Sequence, residues 1–302
     1  MKKNDIWSDN EISVSGLKNL NLNNSIIHSY QSTLKVWINI KEKKLLKRPL
    51  LCFVVLSYGI FIVFLMLIGL AMFIGAPIAI TNCLQIVSAW SSDFAIVILF
   101  PRIYSGLKLK DFIKKQFAPR LKLSVLGTVV VIQVIITVVV ILQLQPASET
   151  PSAALSFTGL GLLFIAFFDN LVRGPLGEQL GWRGFALNEF QKKHSPLKSA
   201  LIVGILWGGW HAPLWFLSGY TGVDLIKYIV LFMIGILSVS IIMTLFYNLN
   251  KNLIVPIVIH QLFNFSLVVI KGDLLDVLVY VMLSYFVVAI ILIVINPKKV
   301  LY

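Results

Sequence analysis

Charge is scarce in this 302-residue chain. Only 13% of its residues are Asp, Glu, Lys or Arg, where a soluble domain carries about a quarter. Cysteine is scarcer still, with Cys52 and Cys83 the two present. No disulfide framework or CxxC metal site can be built from them. They flank one apolar run about a bilayer apart, so they cannot pair within a monomer. Short alternating segments are missing, which excludes a β-barrel. The HExxH spacing of zinc proteases is absent, and so is any internal repeat, which counts against an inverted-repeat transporter.

What is present is apolar. The chain is 58% hydrophobic with a mean hydropathy of +0.89. Repeated apolar runs predict an all-α, polytopic transmembrane helical bundle of about eight spans. The expected spans are 50–74, 84–103, 123–144, 155–173 (continuing, broken, to about 191), 198–217, 228–248, 253–270 and 276–296. The expected organisation is a cytoplasmic N-terminal segment 1–48, three spans in 49–150, a core of spans four to seven in 151–272, and a last span with a short basic tail in 273–302.

The net charge of +13 would suit a nucleic-acid binder, but its distribution argues otherwise. Nine Lys/Arg precede the first span and seven lie between Arg102 and Lys122, while the alternate turns are nearly free of them. That asymmetry predicts a multi-pass cell-membrane protein of bacterial type with both termini cytoplasmic, and no nucleic-acid partner. The first 48 residues are too long and too polar for a cleaved signal peptide, so the first span should persist as an anchor. From Leu34 to Arg48, Leu34, Trp37, Ile38 and Leu45 share a helical face among basic residues. The pattern fits either an interfacial helix on anionic headgroups or a solvated basic flank.

Three polar clusters interrupt the apolar runs: Gly177 to Gly184 (GEQLGWRG), Trp207 to His211 (WGGWH) and His260 to Asn264 (HQLFN). A charged side chain at mid-bilayer costs roughly 2.5–3.5 kcal/mol on insertion scales, so such groups mark buried polar sites by default. The first cluster follows Gly174-Pro175, which should break a helix. Helical spacing puts His260 with Asn264, Trp207 with His211, and Gln179 with Arg183 on common faces. Glu178 lies 14 residues from Lys192, while His211 and Asn264 each lie 13 from Lys198 and Lys251. At 1.5 Å per residue all three sit about 20 Å from basic anchors, which predicts one shared chamber. Gly177/Gly181 and Gly204/Gly208 would let helices approach closely around it.

Such a set admits general-base chemistry. Glu178 can take a proton from water and pass it to a leaving amine, with one histidine placing the water. The second histidine and Asn264 can donate to an oxyanion. Alternatively, Glu178, His211 and His260 form a His2Glu set suited to zinc. Asp93 in the second span reads as a packing or cavity partner. Asp169 and Asn170 are placed to satisfy backbone groups freed by the break.

At these residues, over about 155–270, the chain resembles the CPBP family. Those intramembrane proteases include type II CAAX prenyl endopeptidases and bacteriocin-processing or bacteriocin-immunity proteins of the Abi type. Its Glu-Glu-x-x-x-Arg, aromatic-x-x-x-His and His-x-x-x-Asn elements occur here in family order. The resemblance implies an endopeptidase with Glu178 as base, His211 helping to activate water, and His260 and Asn264 stabilising the oxyanion, with no cofactor required. Gln179, Arg183 and Trp207 would support them, and the substrate would be a peptide or membrane-protein segment. Trp207 stands where the family often has Phe. Gln179 replaces the family's second glutamate, so it cannot neutralise Arg183, and an inactive immunity or adaptor protein is the alternative this raises.

Overall fold

The computed structural model describes residues 47–144 and 159–302. Residues 34–46 of the expected interfacial stretch lie outside the described residues, as does the link 145–158. Among the described residues there are helices and no β-strand, and the chain is an all-α polytopic helical bundle.

The elements, in order, are α1 (Pro49–Phe73), α2 (Ile78–Ser88), α3 (Ser91–Ile103), α4 (Leu109–Phe117) and α5 (Leu123–Leu144). Then follow α6 (Leu160–Val172), α7 (Pro175–Gln179), a π-helical segment (Leu180–Leu187) and α8 (Asn188–Gln191). The rest are α9 (Pro196–Trp210), α10 (Ala212–Phe216), α11 (Gly222–Asn250), α12 (Ile254–Val269), α13 (Leu274–Ile295) and a 3-10 turn (Pro297–Lys299).

Five of the helical stretches are long and apolar enough to cross a membrane, six with the bent pair α2–α3. The expected second span therefore differs in form. It begins at Ile78 and turns by 53° between Ser88 and Ser91. At that bend the Ser88 and Ser91 hydroxyls donate to the Gln85 and Ser88 carbonyls, local bonds that compete with a straight helix. The expected fifth span is likewise split, α9 ending at Trp210 and α10 starting at Ala212 with His211 between, and Pro213 lies just inside it.

One helix forms the core post. About 67% of the apolar window of α11 is buried, against 17–28% in the other four long stretches. Along those outer stretches Val55, Met66, Val131, Leu162 and Val294 stay exposed, an apolar coat suited to lipid. Gly204 and Gly208 bring α9 onto α11. A Cβ on Gly204 would lie 2.9 Å from Leu237, and one on Gly208 would lie 2.6 Å from Met233.

The fourth span is broken where Gly174-Pro175 predicted. Pro175 takes the first turn of α7, where its missing N–H costs nothing. The freed carbonyl of Val172 accepts from Trp90 Nε1 at 3.0 Å. Asp169 and Asn170 do not perform that task. Asp169 pairs with Arg173 at 2.7 Å, and Asn170 donates to Gln261 Oε1 at 2.9 Å. Gly177 and Gly181 press against α3, since a Cβ there would lie 2.5 Å from Trp90 and 2.7 Å from the Ser92 carbonyl.

Candidate active site

Glu178 sits in α7, 3% exposed, just before the π-helical segment. Turns of this wider type recur at functional sites because each backbone bond skips one residue further and re-aims side chains. Asp93 holds the segment's start: its Oδ1 accepts from the Gly181 N–H at 2.8 Å, and Ser92 Oγ donates to the Glu178 carbonyl at 3.4 Å. The sequence reads Asp93 as a packing or cavity partner, and in the structure it anchors the backbone that carries the cluster.

Trp207 is the hub. Fully buried on α9, its indole N–H donates to Glu178 Oε2 at 2.5 Å. Its face carries the Arg183 guanidinium, with Cζ 4.0 Å from a ring centroid. His260 approaches edge-on, 5.0 Å between centroids, and His211 lies at 5.8 Å. The sequence assigns Trp207 a supporting place where the family often has Phe, without a bond to the base. The indole N–H, which Phe lacks, was the available signal.

The two histidines are held in defined ways. His211 caps α9, and its Nδ1 lies 2.8 Å from the Trp207 carbonyl. A carbonyl only accepts, so Nδ1 carries the proton and neutral His211 keeps a lone pair on Nε2. His260, 3% exposed on α12, has Nδ1 2.9 Å from Gln179 Nε2. The amide nitrogen only donates, so Nδ1 accepts and neutral His260 carries its proton on Nε2.

Gly174 marks the meeting point. A Cβ on that residue would lie 3.0 Å from Glu178 Oε1, 3.5 Å from His260 Cε1 and 3.6 Å from Asn264 Nδ2. Groups 4, 86 and 90 positions along the chain from Gly174 thus surround one small gap, which differs from the depth argument's set of Glu178, His211 and Asn264 in having His260 where His211 was expected. His211 joins through the Trp207 ring rather than at that gap. The absence of a side chain at Gly174 keeps the gap open. Sequence reasoning had seen only a helix breaker there.

Arg183 is the unbalanced member. It is fully buried, and none of its three guanidinium nitrogens has a hydrogen-bond partner; Gln179 Oε1 is also unpaired. The missing second carboxylate is felt here: Arg183 has the Trp207 face and the attraction of the nearby Glu178 carboxylate, with a hydrogen bond to neither. As to metal, no cluster of three or more His, Cys, Asp or Glu that could hold an ion occurs among the described residues.

Known proteins match the same region. The family model for the "Type II CAAX prenyl endopeptidase Rce1-like" proteins covers residues 158–266, the stretch holding all three clusters. The "CAAX prenyl protease 2" of Methanococcus maripaludis is 30% identical over 167 residues, 52% of this chain. Over these residues the chain is similar to the CPBP family. The match spans 61% of that archaeal relative's length. Within that similarity Gln179 is the clearest departure from the family pattern and Trp207 the second.

Proposed function

We propose that this protein is an integral membrane endopeptidase that hydrolyses a peptide bond with water activated by Glu178. The observation that carries the reading is the convergence of Glu178 Oε1, His260 and Asn264 Nδ2 on the gap at Gly174. Water binds beside Glu178 Oε1 in the gap at Gly174, and His211 acts on the site through the Trp207 ring that holds the carboxylate. Glu178 accepts a water proton as the oxygen attacks the scissile carbonyl carbon. The new oxyanion is held by His260 Nε2–H and the Asn264 amide. Collapse breaks the C–N bond, and Glu178 returns the proton to the departing amine.

Trp207 fixes the rotamer of the base, and Gln179 fixes which nitrogen of His260 carries the proton. The substrate class is a peptide or membrane-protein segment entering laterally or from the basic, cytoplasmic face. The relative's name adds prenylated CAAX peptides as the first chemistry to try. Anionic lipid would surround the basic loops.

The test is cleavage in nanodiscs, read by mass spectrometry. Peptides with and without a C-terminal prenylated CAAX sequence are offered to wild type, His260→Ala and Asn264→Ala, with and without a chelator. Cleavage by wild type that persists in chelator and is lost in both variants is expected. Cleavage abolished by the chelator would replace this reading with the zinc one. A second reading, an inactive immunity or adaptor protein, is favoured by Gln179 and the Arg183 guanidinium it leaves without a hydrogen bond, and wild-type binding without cleavage would support it.

A further inference from the structure

Away from the candidate active site, a cavity of about 450 Å³ opens where the basic ends of α8, α9, α11 and the C-terminal residues meet. Three lysines from three elements line it: Lys192, Lys251 and Lys299, with His194, Ser195 and Asn248 between them. We propose that this cavity is a binding site for a phosphate group, either the headgroup of an anionic lipid or a free phosphate.

The charges within it are incompletely matched. Lys192 pairs with Glu189 at 2.8 Å, and Glu189 also accepts from Tyr104. The Lys251 ammonium, half-buried, donates to the neutral Asn248 Oδ1 at 2.7 Å and lies 5.4 Å from the Tyr247 ring. Among the described residues neither Lys251 nor Lys299 has a carboxylate partner.

Lys251 is also held in place. It ends α11 in the left-handed conformation (φ 58°), a position that usually falls to Gly or Asn. Asn252 next to it locks the turn by donating to the Phe117 and Pro119 carbonyls. A lysine kept at such a position, aimed into a cavity beside a second unpaired lysine, is suited to a multiply charged oxygen acceptor. Lys presents a point charge with three donors, and Ser195 and Asn248 add neutral ones. Basic pockets between membrane helices take phosphorylated headgroups by this chemistry.

The experiment uses the full chain in a phosphate-free maltoside detergent. One arm titrates inorganic phosphate against chloride at constant ionic strength. The other adds phosphatidylglycerol at fixed ratios. Thermal unfolding and native mass spectrometry are read for wild type, for Lys251→Asn with Lys299→Gln, and for Lys108→Gln with Lys110→Gln as a charge-matched control outside the cavity. Asn keeps the left-handed turn, so the first double variant should fold. Loss of two charge-assisted contacts should weaken binding roughly tenfold or more. Retention in the control and loss in the cavity variant supports the site. Response to phosphate assigns a free anion; response to phosphatidylglycerol alone assigns a headgroup. Equal response of both double variants, or none from wild type, overturns it. None of these readouts requires proteolysis.

Discussion

Trp207 Nε1 donates to Glu178 Oε2 at 2.5 Å, so a side chain that the sequence places only in support directly holds the candidate base. The same ring supports Arg183 on its face and His260 at its edge. Trp207→Phe keeps a ring but removes the donor. A charge-assisted bond of this kind contributes about 1.5–3 kcal/mol, so the rate of cleavage should fall roughly ten- to a hundredfold. Substrate KM should change little and the protein should still fold. Steady-state kinetics beside a circular-dichroism melt check both.

Gly174→Ala places a methyl in the gap that Glu178, His260 and Asn264 enclose. The 3.0 Å contact is to the end of a side chain rather than backbone, so the fold should survive. Turnover should drop at least tenfold because water and carbonyl compete with the methyl for one space. Single-turnover cleavage by this variant, with its elution profile as the fold control, is the measurement.

Gln179→Glu restores a carboxylate beside Arg183. It should give the guanidinium the ion pair it lacks and raise the melting temperature. It should also move the His260 proton, since a carboxylate accepts where the amide donates. Nitrogen-15 shifts of the histidine ring should then report protonated Nδ1 instead of protonated Nε2. An unchanged tautomer would show that Gln179 does not set it.

Lys251 gives a pH signature to the basic cavity. Burial lowers its ammonium from the usual 10.5 to about 8. Bound phosphate needs the charged form, so affinity should be full below about pH 7.5 and fall as pH rises through 8. Lys192 with its partner Glu189, Lys299 and His194 also face the cavity. Phosphate titrations at pH 7 and 9 should differ in wild type and agree in Lys251→Asn.

Much of this was legible in the sequence. The break at Gly174-Pro175, the close packing at Gly177, Gly181, Gly204 and Gly208, and the nearness of Glu178 to Asn264 follow from helix geometry and the cost of buried charge. What was hidden depended on partners far along the chain. Asp93 bonding Gly181, Trp90 capping Val172, and the indole hydrogen bond each join residues 29 or more positions apart. No local periodicity encodes them. The 53° bend of the second span and the π-helical turn were hidden too, because small hydroxyl bonds and tertiary packing decide them.

The most direct measurement is peptide cleavage by Glu178→Gln set against wild type, in one nanodisc preparation with matched folding. The amide is nearly the same size and can still meet Trp207, but it cannot accept the water proton. The account predicts that cleavage falls by about a thousandfold, within the range of lost general-base catalysis. Cleavage by Glu178→Gln within threefold of wild type would contradict it.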